Sequence, residues 1–202
     1  MALAILSSLE RADTALFLLI NNHFHFSILN DNMRALTFLG NGWVVYWIVV
    51  LYLYRFDPRP FRESFLLLFL TQIIPGAVVD VLKRIVDRPR PIVALHRLIA
   101  EGRVHVVVLG RHLTAYSFPS GHAETAFALA VALGYLYPRR RAAFYILAAL
   151  VAFSRVYNGE HFPLDVICGG LVGYAFGWIG IWAYRRVSRR AIGGLPTASE
   201  EA

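Results

Sequence analysis

Hydrophobic positions along this chain gather into long unbroken runs, not into stripes. Leu66 to Val79 and Leu164 to Tyr184 present no polar face, whereas a helix of a soluble bundle needs one. Apolar runs with few or no charges are the signature of membrane crossings. Five spans are predicted, at roughly Leu36–Tyr54, Ser64–Leu82, Ser120–Tyr137, Ala142–Tyr157 and Leu164–Tyr184. Some fall short of the roughly 20 residues a bilayer requires, so their ends extend into the flanking polar residues. Ala2 to Ile20 is apolar but broken by Glu10, Arg11 and Asp13, each costly at a bilayer centre. It either lies in the interface as an amphipathic helix or forms a sixth span. The expected fold is therefore all-α, a polytopic transmembrane helical bundle. Residues 1–190 form one membrane-embedded domain, and 191–202, without periodicity, a disordered tail.

Smaller features refine this picture. His23 and His25 fall beside Asn21 and Asn22 in a polar connector and are expected at the surface. Gly169, Gly173 and Gly177 recur every fourth residue, a small-residue ridge that lets another helix approach closely; packing within the chain is the default reading, and a dimer seam is the alternative, without separate support. No cleavable signal peptide is expected, because Arg11 follows the first apolar stretch instead of preceding it. The hydrophobic fraction of 57% agrees with a membrane protein. A net charge of +7 raises the question of nucleic acid, but the arginines sit at the ends of apolar runs. That placement suits lipid headgroups, and no nucleic-acid partner is expected. Lys83 is the only lysine, and the single cysteine, Cys168, lies within an apolar run.

Three polar clusters interrupt the runs. Lys83 to Pro91 closes the second span, Pro119-Ser120-Gly121-His122 opens the third, and Ser154-Arg155 ends the fourth, with His161 and Asp165 at the opening of the fifth. Counting crossings puts all three on one side of the membrane, as a composite site requires. Lys83, Arg90 and Arg155 are three cations suited to one phosphate, arginine as a fork and lysine as a point charge. Ser120 at a helix start, with the backbone N–H groups of Ser120 and Gly121, makes an anion site. A neutral imidazole at His161 can attack phosphorus and split hydrolysis into two steps. Asp165, four residues on, lies on the same face of a helix and orients it. His122 is left as general acid. Arg84 and Arg88 read as headgroup anchors, and His96, His105 and His112 as structural. Glu124 and Glu160 either repel a strongly anionic headgroup or point to solvent. A zinc site has little support: His122 and Glu124 form only an H-x-E fragment without P-C-x-x-C, and no H-E-x-x-H is present. No metal and no cofactor is expected.

K-x6-R-P from Lys83 to Pro91, P-S-G-H from Pro119 to His122 and S-R-x5-H-x3-D from Ser154 to Asp165 resemble the three-part signature of the type 2 phosphatidic acid phosphatase family, complete and in order. The resemblance covers about residues 36 to 185. It implies a metal-free phosphatase with His161 as nucleophile, Asp165 orienting it and His122 as general acid. By the same resemblance Lys83, Arg90, Ser120, Gly121 and Arg155 hold the phosphate, and the site faces outward.

The arginines agree mildly with that orientation. The inner side carries ten, against seven cations on the active face once three that phosphate chemistry demands are set aside. The location expected is a bacterial cytoplasmic membrane with the site facing the periplasm or exterior. The connector Ile92–Ser117, with Arg97, Arg103, Arg111 and the apolar run Val104–Leu109, reads as a lid at headgroup level. The substrate expected is a polyprenyl phosphate or phospholipid, first undecaprenyl diphosphate. Phosphatidylglycerol phosphate, phosphatidic acid and lipid A 1-phosphate compete, as does phosphoryl transfer to another lipid. A vanadate-dependent haloperoxidase, which shares the motifs, is disfavoured by the five spans. A non-catalytic lipid-binding protein is disfavoured because no motif residue is lost.

Overall fold

The computed structural model describes residues 2–110 and 113–193, and every regular element among them is helical. In order these are α1 (Ala2–Leu18), α2 (Asn30–Phe38), α3 (Gly42–Phe56), α4 (Phe61–Val86), α5 (Pro91–Ala94), α6 (His96–Ala100), α7 (Gly121–Leu136), α8 (Arg141–Tyr157) and α9 (Pro163–Gly193). A π-helical turn, Leu19–His23, continues α1.

α7 is the central helix. Alanines at 123, 126, 128, 130 and 132 are buried, and such short side chains let α4, α8 and α9 close around it. The glycine ridge of α9 faces α7. A Cβ on Gly169 would meet the backbone of Ser120, one on Gly173 the backbone of Glu124, and one on Gly177 Val131 and Ala128. The ridge thus serves packing within the chain, as expected. Outward-facing positions are apolar instead: Leu51 on α3, Val81 on α4, Ile146 on α8 and Leu171 on α9 are all exposed. A small-residue interior with a large apolar exterior is the arrangement for a lipid surrounding.

Among the described residues, two stretches are long and apolar enough to cross a membrane by themselves, Phe61–Ala100 and Pro163–Ser188. Helix geometry assigns the first crossing to α4, since the chain leaves the helix at Asp87. α3, α7 and α8 have 15, 16 and 17 residues, shorter than the roughly 20 that a lone span needs.

Several expectations change. The span foreseen from Leu36 is broken: α2 ends at Phe38 and α3 starts at Gly42. The break brings Gly40 against His122, where a Cβ would stand 2.9 Å from that side chain. Within the polar connector, Asn21 is fully buried. Its amide donates to Val107 O and Tyr157 O, each at 2.9 Å, and accepts from Val107 N at 2.8 Å. His25 is half-buried and stacks on Tyr157 with ring centroids 4.6 Å apart, whereas His23, His96 and His105 are exposed. The connector after Pro91 contains α5 and α6, and its apolar run is tied down: Leu109 N donates to Asn158 O (3.1 Å) and Val106 is buried. Of the expected tail, residues 191–193 complete α9; 194–202 lie outside the described residues, as do Arg111 and His112.

Candidate functional site

The three polar clusters meet at one end of the helix bundle. α4 stops at Val86, where Asp87 takes a left-handed conformation (φ 41°), which a short acidic residue tolerates. Proline at 89 and 91 then keeps the preceding arginines extended. Arg90 is thereby fixed along its length. Its N–H donates to Thr114 O (3.1 Å), Nε to Ala115 O (3.1 Å) and Nη1 to Glu160 O (3.0 Å). Lys83, in the last turn of α4, extends over the start of α7, its Nζ 3.5 Å from where a Cβ on Gly121 would stand. A Cβ at 121 would therefore lie in ordinary contact with the ammonium.

Ser120 caps α7, its hydroxyl accepting from Ala123 N at 3.5 Å. The expectation for its own N–H changes, because that group donates to Asp165 O at 2.9 Å. It welds the α7 cap to α9, and the α7 amides left to face an anion are those of Gly121 and His122. His122, half-buried against Gly40, lies within electrostatic reach of Arg155, His161, Lys83 and Arg90.

His161 is 1% exposed and does not stand on a helix: it occupies the turn before α9, which begins at Pro163. The helical-face argument for Asp165 therefore fails, yet the carboxylate reaches back from the first turn of α9. Its Oδ2 lies 3.6 Å from His161 Nδ1, accepts from Phe162 N at 2.9 Å and from Ser117 Oγ at 2.5 Å. Oδ1 accepts from Arg88 Nη1 at 2.6 Å. The two ring nitrogens of His161 thus meet opposite surroundings. Nε2 stands 3.3 Å from Arg90 Nη1, and a guanidinium only donates, so Nε2 carries the lone pair. Nδ1 then carries the hydrogen, facing Ser117 Oγ at 3.4 Å and the carboxylate behind it. Burial pushes the imidazole down to about 3, with Arg155 and Arg90 adding to it and Asp165 opposing. At neutral pH the ring is uncharged.

Arg155 is buried at the end of α8, bonded to Thr37 and to the carboxylate of Glu160. Its Nε is buried with no hydrogen-bond partner, a donor free for an incoming oxygen. Glu160 Oε2 also lies 3.9 Å from Arg90 Nη1. Neither glutamate points to solvent: Glu160 is 6% and Glu124 4% exposed, the latter bonded by Thr125 Oγ1 at 3.2 Å.

The structure brings together all eight residues singled out in the sequence, and adds four. Arg88 is no headgroup anchor. Its two Nη atoms bridge Asp165 and Asp13 Oδ2, the latter at 2.7 Å, and its guanidinium lies 4.2 Å from the Phe162 ring centre. Burial works against its charge, but Asp165 and Asp13 outweigh that and hold the guanidinium above its ordinary range. Asp13, Ser117 and Glu160 complete the additions. The signal for Asp13 was in the sequence, an acid inside an apolar run; Ser117 carried none. Among the described residues, no group of three or more His, Cys, Asp or Glu side chains is arranged to hold a metal ion.

The family model described as the PAP2 superfamily matches residues 64–189. The lipid A 1-phosphatase of Rhizobium etli is 35% identical over 114 residues, 56% of this chain but 46% of that protein. The chain thus spans under half the length of that relative. The undecaprenyl-diphosphatase of Sulfolobus acidocaldarius is 34% identical over 78% of this chain and 71% of its own length. The crystal structure of Aquifex aeolicus LpxE superposes with a TM-score of 0.71 at 31% identity, covering 83% of this chain and 93% of that one.

Proposed function

Because this chain belongs to the PAP2 superfamily, we propose that it is a membrane lipid phosphatase working through a phosphohistidine at His161. The observation that carries the reading is the division of labour between the two nitrogens of one buried imidazole. Nδ1 is held on the Ser117–Asp165 side, while the Nε2 lone pair faces Arg90. A phosphoryl group held by Arg90, Arg155, Lys83 and the amides of Gly121 and His122 would present phosphorus to that lone pair. In the first step the Nε2–P bond forms, the P–O bond to the lipid breaks, and His122 gives the leaving oxygen its proton. In the second, water attacks phosphorus, returns a proton to His122, and the N–P bond breaks to release phosphate. Fixed cations are the main contribution such a reaction asks of a protein.

For substrate we favour undecaprenyl diphosphate, cleaved to the monophosphate. The relative named for that reaction aligns over most of both chains. Lipid A 1-phosphate is the second reading, favoured by the shorter lipid A 1-phosphatase match. The reading carries five crossings, α3, α4, α7, α8 and α9, with α1 lying across the active-site end, where Phe17 packs on Phe162 at 5.3 Å between ring centres. It sets the chain in a bacterial cytoplasmic membrane with the site on the outer side.

The test is phosphate release by the detergent-purified protein from undecaprenyl diphosphate, lipid A 1-phosphate, phosphatidylglycerol phosphate and phosphatidic acid, in EDTA. Release that His161→Ala abolishes is expected, with undecaprenyl diphosphate fastest. Equal release by the variant would remove the histidine mechanism.

A further inference from the structure

We propose that Asp13, on the N-terminal helix, is a positioning residue of the phosphatase site: it holds Arg88 against Asp165 and so fixes the carboxylate that aims His161. The inference rests on reading His161 as the nucleophile. Asp13 lies at residue 13, well before the matched stretch that starts at 64, so no motif of the signature contains it.

A carboxylate inside an apolar helix is costly unless it is paired. Asp13 is 4% exposed, and both of its oxygens are used. Oδ2 accepts from Arg88 Nη2 at 2.7 Å, and Oδ1 accepts from Leu164 N at 2.8 Å. The second bond is a helix cap supplied from another helix, on an amide in the first turn of α9. The residue following Leu164 is Asp165 itself. Asp13 therefore grips the orienting carboxylate twice, through the backbone beside it and through the guanidinium against it.

The carboxylate of Asp165 turns about a single bond, and its two oxygens have different tasks. Oδ2 gathers Ser117 Oγ, Phe162 N and the His161 side; Oδ1 is held by Arg88 Nη1 at 2.6 Å. Anchoring Oδ1 locks Oδ2 toward the imidazole. Arg88 can anchor it only while its own guanidinium is fixed, and Asp13 fixes its other nitrogen. The Phe162 ring beneath the guanidinium is packed in turn by Phe17, one turn beyond Asp13 on α1. Without Asp13 the guanidinium keeps one partner and is free to swing, and the Asp165 carboxylate with it. Substrate cations and His161 Nε2 are untouched, so the loss falls on the chemical step.

The experiment is a double-mutant cycle in the full-length protein in detergent, with undecaprenyl diphosphate and phosphatidic acid as probes. Asp13→Asn should lower kcat about 10–100-fold, by analogy with the loss of an outer partner of a metal-ligating histidine, with KM unchanged. Asp13→Glu, which restores the charge, should recover part of the loss. In an Arg88→Lys background, Asp13→Asn should cost little more, since both act through one link. A loss of the same size in both backgrounds, or a kcat for Asp13→Asn equal to wild type, overturns the proposal. If Asp13→Asn does not fold, the cycle is run with Asp13→Glu and read the same way. His161→Ala runs alongside: if it stays active, the nucleophile assignment fails whatever Asp13 does.

Discussion

Gly169 and Gly76 both lie inside long helices of this chain, yet adding one methyl group to each is expected to have opposite effects. On Gly169 a Cβ would press into the carbonyl oxygen of Ser120, with that residue's carbonyl carbon and amide nitrogen each at 3.1 Å. Carbon contacts are comfortable at about 3.5–4.0 Å, and the obstacle is backbone, which cannot rotate aside. Either α9 or the α7 cap must yield by roughly an ångström, and overpacking of this kind costs about 1–3 kcal/mol. The better helix propensity of alanine returns about 1 kcal/mol. The movement also strains the Ser120 N–Asp165 O bond of 2.9 Å, which joins the start of α7 to the residue proposed to orient His161. A misplacement near 1 Å can cost about 100-fold in rate. On Gly76 the same Cβ meets nothing within 4 Å, so only the propensity gain remains. Gly169→Ala should therefore lose about two orders of magnitude in kcat with a lowered thermal midpoint. Gly76→Ala should keep full activity with an equal or higher midpoint. The assay is phosphate release with thermal unfolding of each detergent-purified variant. Full activity in Gly169→Ala would refute the claim that this backbone contact sets the site.

Two further outcomes follow from the site. Glu160 occupies guanidinium faces of Arg155 and Arg90 that a phosphate would use; Glu160→Gln should lower the inhibition constant of inorganic phosphate about tenfold, equivalent to about 1.4 kcal/mol, and weaker inhibition would mean the carboxylate supports anion binding instead. His161, held near 3 when folded against its ordinary 6.5, binds fewer protons folded than unfolded between those values, so stability falls as pH drops through that window; the thermal midpoint should fall less steeply from pH 6.5 to 4 in His161→Asn than in wild type, and parallel slopes would contradict it.

Much of the site was legible because its chemistry requires charged side chains at the ends of apolar runs, where nothing else explains them. Lys83, Arg90, Arg155, His122, His161 and Asp165 all announced themselves this way, and the expected parity of the crossings put them at one end, where the helix bundle does gather them. What was not legible depended on irregular backbone. The break at residues 39–41 sets Gly40 against His122, an approach between distant parts of the chain that no local pattern encodes. The turn holding His161 ends at Pro163, so a helical spacing suggested the right partner for the wrong reason. Arg88 looked like a surface anchor because its acid partners lie 75 positions before it and 77 after it. Asn21 looked like a connector because a polar residue that satisfies buried backbone groups is indistinguishable in sequence from one that meets water.

The bond between Asp13 and Leu164 joins positions 151 residues apart, and this gives the molecule a clock. A ribosome adding about 5–20 residues per second delivers the partner of Asp13 on the order of ten seconds after Asp13 itself. Until then, on the proposed mechanism, the nascent chain has the lysine and arginines that would hold phosphate but lacks Asp165, the carboxylate that would aim His161. On the proposed mechanism, a chain interrupted before α9 is inert, and activity begins only once α9 joins the fold.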